Sequence, residues 1–143
     1  MTEFKVVSLE KSDYYCGFLQ LLEQLTVVNS NEISYDDFAR QIDKMKSHVV
    51  VIKKDDGSIV GTAAVLIEEK FIHKLSSVGH IEDVVVDKNY REKGLGKLLV
   101  NYCIEYAKSN GCYKIILNCS KDNMDFYKKC GFTNKNFEMS LYI

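Results

Sequence analysis

The chain has 143 residues, 46% of them hydrophobic and 27% charged, with a formal net charge of −1; these are the proportions of an ordinary globular protein able to bury one core. Near-neutral charge denies it the electrostatic footprint of a general nucleic-acid binder, no apolar run approaches the roughly 18 residues of a membrane span, and the opening Met1-Thr2-Glu3-Phe4-Lys5 does not read as a signal peptide. Five cysteines, with no C-x-x-C pair among them, speak against a disulfide framework or a zinc ribbon and for reduced thiols in a cytoplasmic protein.

Proline is absent, so turns fall to Gly, Asn, Asp and Ser. Phe4 to Leu9 reads as a first strand. Tyr14, Phe18, Leu21, Leu22 and Leu25 then recur at helical spacing. Ser34, with Asp37 three residues on, predicts a helix N-terminus, followed by a stripe of Tyr35, Phe38, Ile42 and Met45. His48 to Ile52 and Ile59 to Ile67 flank the turn sequence Asp55-Asp56-Gly57-Ser58, which predicts a hairpin. Gly79 to Val86 is a further strand, with valines at its end. The helix after it shows Leu95, Leu98, Leu99, Tyr102, Cys103 and Tyr106 on one face and fades at Asn110-Gly111. Tyr113 to Leu117 reads as a short buried strand, and Asn123 to Lys129 as a short helix. Phe137, Met139, Leu141 and Ile143 alternate with polar or amphipathic neighbours, which predicts a last strand. Hairpins followed by a strand–helix–strand crossover require a mixed sheet.

The segment Arg91-Glu92-Lys93-Gly94-Leu95-Gly96-Lys97 joins the Val84-Val85-Val86 strand to its helix. Unpaired N–H groups converge there and the helix dipole favours negative charge. Gly94 and Gly96 let a phosphate approach the backbone, while Arg91, Lys93 and Lys97 add positive charge. A pyrophosphate fits such a site. Neither the dinucleotide pattern G-x-G-x-x-G nor the P-loop pattern is present.

What stands here, Arg91-x-x-Gly94-x-Gly96, resembles the [QR]-x-x-G-x-[GA] signature of the GNAT N-acetyltransferase superfamily. A denser resemblance runs from about Lys70 to Phe132. Glu69-Lys70-Phe71-Ile72-His73, Gly79-His80-Ile81-Glu82-Asp83-Val84-Val85-Val86, Gly111-Cys112-Tyr113-Lys114-Ile115-Ile116-Leu117 and Asn123-x-x-Phe126-Tyr127-x-Lys129-Cys130-Gly131-Phe132 stand in order. Together they resemble the eukaryotic-type glucosamine 6-phosphate N-acetyltransferases; the N-terminal third is similar more loosely, best at Leu25-Thr26. The resemblance implies one GNAT domain over residues 1–143, a mixed central sheet flanked by helices, antiparallel at first and parallel around the cofactor. It implies acetyl transfer from acetyl-CoA to the 2-amino group of D-glucosamine 6-phosphate, without a metal, on the way to UDP-N-acetylglucosamine, by a homodimer whose last strand takes part in pairing.

The same resemblance distributes roles. Val84, Val85 and Val86 would hold the pantetheine arm through main chain, with amides near Val84 polarising the thioester carbonyl. Arg91, Glu92, Lys93, Gly94, Leu95, Gly96 and Lys97 would bind the pyrophosphate. Tyr127 would protonate the leaving thiolate, Asn123 would hydrogen-bond the cofactor, and Lys129 would reach a cofactor phosphate. Glu82 and Asp83 are the acids expected at the sugar; since neighbours on a regular strand face opposite ways, contact by both requires a bulge. Neither is assigned as the general base, because a water chain held by Glu82 serves equally. Thr26, Lys70, His73, Tyr113, Lys114 and Asn118 match substrate positions. Asn118 stands where the family typically has aspartate, and Leu141-Tyr142-Ile143 lacks a basic residue that many relatives carry. Cys119 reads as structural. A GNAT enzyme for another amine, such as a polyamine or a protein N-terminus, and a non-catalytic CoA-binding module remain open from the residues alone.

Overall fold

The computed structural model describes residues 3–143; Met1 and Thr2, part of the opening considered for a signal peptide, lie outside the described residues. The elements are β1 (Lys5–Ser8), a 3-10 turn (Lys11–Tyr15), α1 (Phe18–Leu22), α2 (Tyr35–Lys44), β2 (His48–Lys53), β3 (Ile59–Glu69), the single turn α3 (Ile72–Leu75), β4 (Ser77–Val86), α4 (Leu95–Ser109), β5 (Cys112–Ile116) and α5 (Met124–Lys129). The five strands lie in the order β1-β2-β3-β4-β5. Neighbours are antiparallel as far as β4, and β4 and β5 are parallel, joined through α4. The expected mixed α/β sheet is present, with helices on both faces.

Local chemistry sets the boundaries. The Asp37 amide donates to Ser34 Oγ at 3.1 Å and the Ser34 amide to Asp37 Oδ2 at 3.3 Å, closing the capping box that starts α2. The β2–β3 turn rests on Gly57 at φ +86° and on the Ser58 amide, which donates to Asp56 Oδ1 at 2.9 Å. Asn110 caps the end of helix α4, and Gly111 follows with φ 76°, the left-handed residue that commonly stops a helix.

Alternation on the strands fills two cores. Val50, Ile52 and Val65 pack under Leu95, Leu99, Val100 and Cys103 of α4. Val51 and Ile59 face the other way, against Phe18, Leu19, Leu21 and Phe38 of α1 and α2. Because both faces are covered, β2 reads as an unbroken apolar run. Fully buried Asp13 anchors the N-terminal helical layer, with Oδ1 at 2.6 Å from Lys53 Nζ and Oδ2 accepting from the Glu10 amide at 2.8 Å.

Three expectations are corrected. Phe137 to Ile143 forms no strand among the described residues; the segment is exposed, with Phe137 at 90% and Met139 at 95% of full accessibility. Its alternation is real, but no strand of the same chain pairs with it. Leu98 lies on the outer side of α4, while Val100 and Ala107, outside the expected stripe, are buried. Among the described residues β5 is an edge strand, pairing with β4 alone, and both Tyr113 and Lys114 are exposed on it rather than buried. Among the described residues no helix is long and apolar enough to cross a membrane.

Candidate active site

Strand β4 is irregular where Glu82 and Asp83 stand. Thr62 pairs with Val85 and Ala64 with Glu82, so Ala63 alone opposes both Asp83 and Val84. This is the bulge that dual contact by the two acids requires. Asp83 takes the strain, at φ 52°, a left-handed conformation that Asp tolerates better than most residues. Both acids are exposed.

Just before the bulge β4 loses its outer neighbour. The β4–β5 ladder runs from Ser77↔Cys112 to His80↔Ile116 and stops, whereas β4 continues to Val86 against β3. The stretch Ile81–Val86 therefore presents a strand edge with no β5 ladder, and such an edge accepts an extended ligand by main-chain hydrogen bonds. It leads to the loop before α4. There Glu92 has φ 64° and Gly94, the N-cap of α4, φ 78°; Arg91 Nε donates to the Val86 carbonyl at 3.2 Å. Arg91, Glu92, Lys93, Gly94 and Lys97 are exposed around the first turn, while Leu95 turns into the core. The Lys88 amide donates to Gln24 Oε1 at 3.0 Å, tying this loop to the N-terminal layer that carries exposed Thr26.

Tyr127 sits on α5, half-buried against the α4-side core. Burial, with smaller contributions from the thiols of Cys119, Cys130 and Cys103, pushes its phenol up to about 12. It is therefore a protonated donor throughout the neutral range. The Cys130 thiol is also raised by burial, with Lys97 acting in the opposite sense, which sets the end of α5 near the first turn of α4. Asn123 and Lys129 are exposed at the two ends of α5.

The expected substrate residues divide into two groups. Lys114 and Asn118 line one groove of about 670 Å³, together with the expected acid Tyr127 and with Cys119, Phe132 and Phe137. Cys119 is exposed in that wall and not a packed structural residue. The second group lies where β4 begins. His73 stacks on Tyr113 with centroids 4.0 Å apart, Lys114 Nζ lies 5.7 Å from the same ring, and Lys70 pairs with Glu68 at 3.3 Å. Glu68 also meets His80 Nε2 at 2.9 Å, and these two partners, His80 first, hold its carboxyl below the usual range. Ser77 and Asp83 are about 20 Å apart at the usual rise of a strand, so the single chain does not gather Lys70 and His73 beside the bulge.

Two features of the structure have no local signature in the sequence. His73, Lys74 and Leu75 all have positive φ, which no composition signal announces. His48 stacks on Tyr106 at 4.3 Å with Nε2 at 3.2 Å from the Tyr102 hydroxyl; residues so distant in sequence give no local pattern. Among the described residues, no group of three or more His, Cys, Asp or Glu is placed to hold a metal.

Residues 11–132 match the Acetyltransferase (GNAT) family model. The chain is 44% identical to glucosamine 6-phosphate N-acetyltransferase of Arabidopsis thaliana, covering 97% of this chain and 96% of the relative. It is 40% identical to the enzyme of that name from Candida albicans, covering 92% and 90%. The crystal structure of the Arabidopsis thaliana enzyme superposes with a TM-score of 0.94 at 43% identity, over 98% of both chains. A bulged strand, a parting sheet and a glycine loop at a helix mouth thus occur in a chain whose sequence aligns almost end to end with these enzymes, and it belongs to the GNAT acetyltransferase family and, within it, to the glucosamine 6-phosphate N-acetyltransferases.

Proposed function

We propose that this chain, as one domain over residues 1–143, transfers the acetyl group of acetyl-CoA to the 2-amino group of D-glucosamine 6-phosphate by direct attack in a ternary complex. The products are N-acetyl-D-glucosamine 6-phosphate and CoA, a step toward UDP-N-acetylglucosamine. The observation that carries this reading is the free edge Ile81–Val86, which ends at the glycine loop of α4 and has Tyr127 on the neighbouring α5. Free thiols on all five cysteines suit a reducing compartment, the cytoplasm.

The residues fit acetyl-CoA. Backbone amides of Gly94, Leu95 and Gly96, assisted by Arg91, Lys93 and Lys97, would hold its pyrophosphate, and Val84, Val85 and Val86 its pantetheine arm. When bound, acetyl-CoA supplies an acetyl thioester open to attack by an amine. Amides near Val84 stabilise the negative charge that grows on the carbonyl oxygen as the bond forms. Glu82 and Asp83, splayed by the bulge, orient the sugar and take up the ammonium proton, directly or through water. Tyr127 gives its phenolic proton to the departing sulfur. Asn123 and Lys129 brace the cofactor at the ends of α5, and Asn118 offers its carbonyl to the amine.

The protein acts as a homodimer in this reading. The exposed alternating tail at Phe137–Ile143 and the unpaired outer edge of β5 are complementary, and both are hazards if left open. Pairing the tail with a second copy covers them. It also brings in Lys70, His73 and Tyr113 from another subunit as partners for the sugar phosphate, beside Thr26 and Lys114. The test is release of free CoA thiol from acetyl-CoA with glucosamine 6-phosphate, compared with glucosamine, polyamines and peptide amines. Turnover restricted to the phosphorylated aminosugar upholds the reading; a preference for a polyamine or peptide refutes it.

A further inference from the structure

Gly96 leaves a notch that Phe126 fills. A Cβ built on Gly96 would lie 3.1 Å from Phe126 Cζ and 3.4 Å from Cε1, with Val86 Cγ2 at 3.9 Å. The tip of the Phe126 ring therefore rests on the backbone of the first turn of α4, beside the end of β4. The next residue is Tyr127, whose ring meets Phe126 edge-on at 4.9 Å and Phe132 edge-on at 6.1 Å. α5 has only six residues, and none of them is fully buried. No sheet ladder fixes such a helix sideways, so the few rings it inserts set its position.

We infer that Phe126 is a positioning residue: seated against Gly96, it couples the cofactor loop to the placement of Tyr127. This rests on the reading of Tyr127 as proton donor. A methyl group at residue 96 would push the ring outward by a few tenths of an ångström and tilt α5 with it. A leucine at residue 126 ends short of that methyl and makes room for it.

Three variants test the coupling at saturating acetyl-CoA, where weakened cofactor binding no longer limits the rate. Gly96→Ala is expected to lower kcat about 10-fold through misplacement of Tyr127. Adding Phe126→Leu to Gly96→Ala is expected to restore most of that loss, which a methyl blocking the pyrophosphate directly would not allow. Placed on Tyr127→Phe, Gly96→Ala is expected to cost nothing further in kcat, since the group it displaces is gone. Hydrogen exchange gives a readout independent of turnover: with CoA bound, the amides of Met124–Lys129 should exchange faster in Gly96→Ala and slow again in the double variant. Failure of the leucine to rescue, an additive loss on Tyr127→Phe, or unchanged exchange in α5 would each overturn the coupling. Wild-type turnover by Tyr127→Phe would instead overturn the proton-donor role, and the exchange data would then uphold or overturn the seating on their own.

Discussion

Ile81 and Val85, four residues apart on one strand, face opposite sides of the sheet: Ile81 belongs to the core under α4 and Val85 to the core under α1 and α2. On a regular strand that spacing puts side chains on the same face. The extra residue at the bulge reverses the parity, and Asp83 is the residue that bends. Replacing Asp83 by Gly should leave stability equal or higher, because Gly adopts positive φ freely. Asp83→Val, which forces a β-branched residue into the left-handed region, should cost roughly 1–2 kcal/mol. Urea unfolding of the two variants measures the gap; equal midpoints would mean the bulge is not held there.

Tyr127 supplies a second expectation. Removing its hydroxyl in Tyr127→Phe should reduce kcat by about 10²-fold with little change in acetyl-CoA affinity. With the phenol raised to about 12, the alkaline limb of the rate profile should not come from this residue below about pH 11. Stability carries the same sign. An unfolded tyrosine loses its proton near pH 10, so above that pH the unfolded chain binds fewer protons than the folded one and stability falls as pH rises toward 12. Tyr127→Phe should flatten that fall, as unfolding midpoints between pH 9 and 11.5 would record.

Gly94 caps α4 at φ 78° with nothing within 4 Å of where a Cβ would sit. Space is available there, but the backbone conformation is costly for other residues. Gly94→Ala should therefore strain the loop by about 1 kcal/mol and weaken acetyl-CoA binding roughly 5-fold, as titration calorimetry would read. An unchanged dissociation constant would place the pyrophosphate elsewhere.

The tail offers a test of assembly. On the proposed tail pairing, a chain ending at Asn136 should sediment as a monomer and lose turnover with glucosamine 6-phosphate, because a second copy would no longer supply Lys70 and His73. A truncated protein that stays dimeric would show that pairing is built on another surface.

His48 should make stability sensitive to acid. Burial holds its imidazole below the usual histidine value, and it is packed on Tyr106 with its Nε2 near the Tyr102 hydroxyl. The unfolded chain then takes up a proton near pH 6.5 before the folded one does, so stability is present above that pH and declines below it. Between pH 7 and 5, the melting temperature of the native protein should fall further than that of His48→Gln. Parallel declines would show that His48 stays solvated when charged.

Much of this was legible because the signals are local. Ser34 and Asp37 stand at the spacing that closes a capping box, and Asp56-Gly57 carries the turn within its own residues. The glycine loop and its strand lie side by side in sequence, so their anion-binding character shows without the fold. The bulge was legible only conditionally, from two adjacent acids that both needed to face the sugar. What escaped depends on distant partners. β5 carries the apolar residues of a buried strand, and nothing in Cys112–Ile116 says that its outer side stays open. The tail has perfect strand alternation, yet a strand exists only where another backbone completes it. In sequence Gly96 announces only what it offers a phosphate, while its contact with Phe126 links residues thirty positions apart.

The spatial order of the five strands repeats their order along the chain. A polypeptide emerging from the ribosome can thus add each new strand to the rim of a sheet already made, with no threading and no waiting for a distant segment. Helix α5, with Tyr127, follows all five strands in the chain. The phenol proposed as proton donor is consequently delivered only after the sheet that must aim it has been laid down.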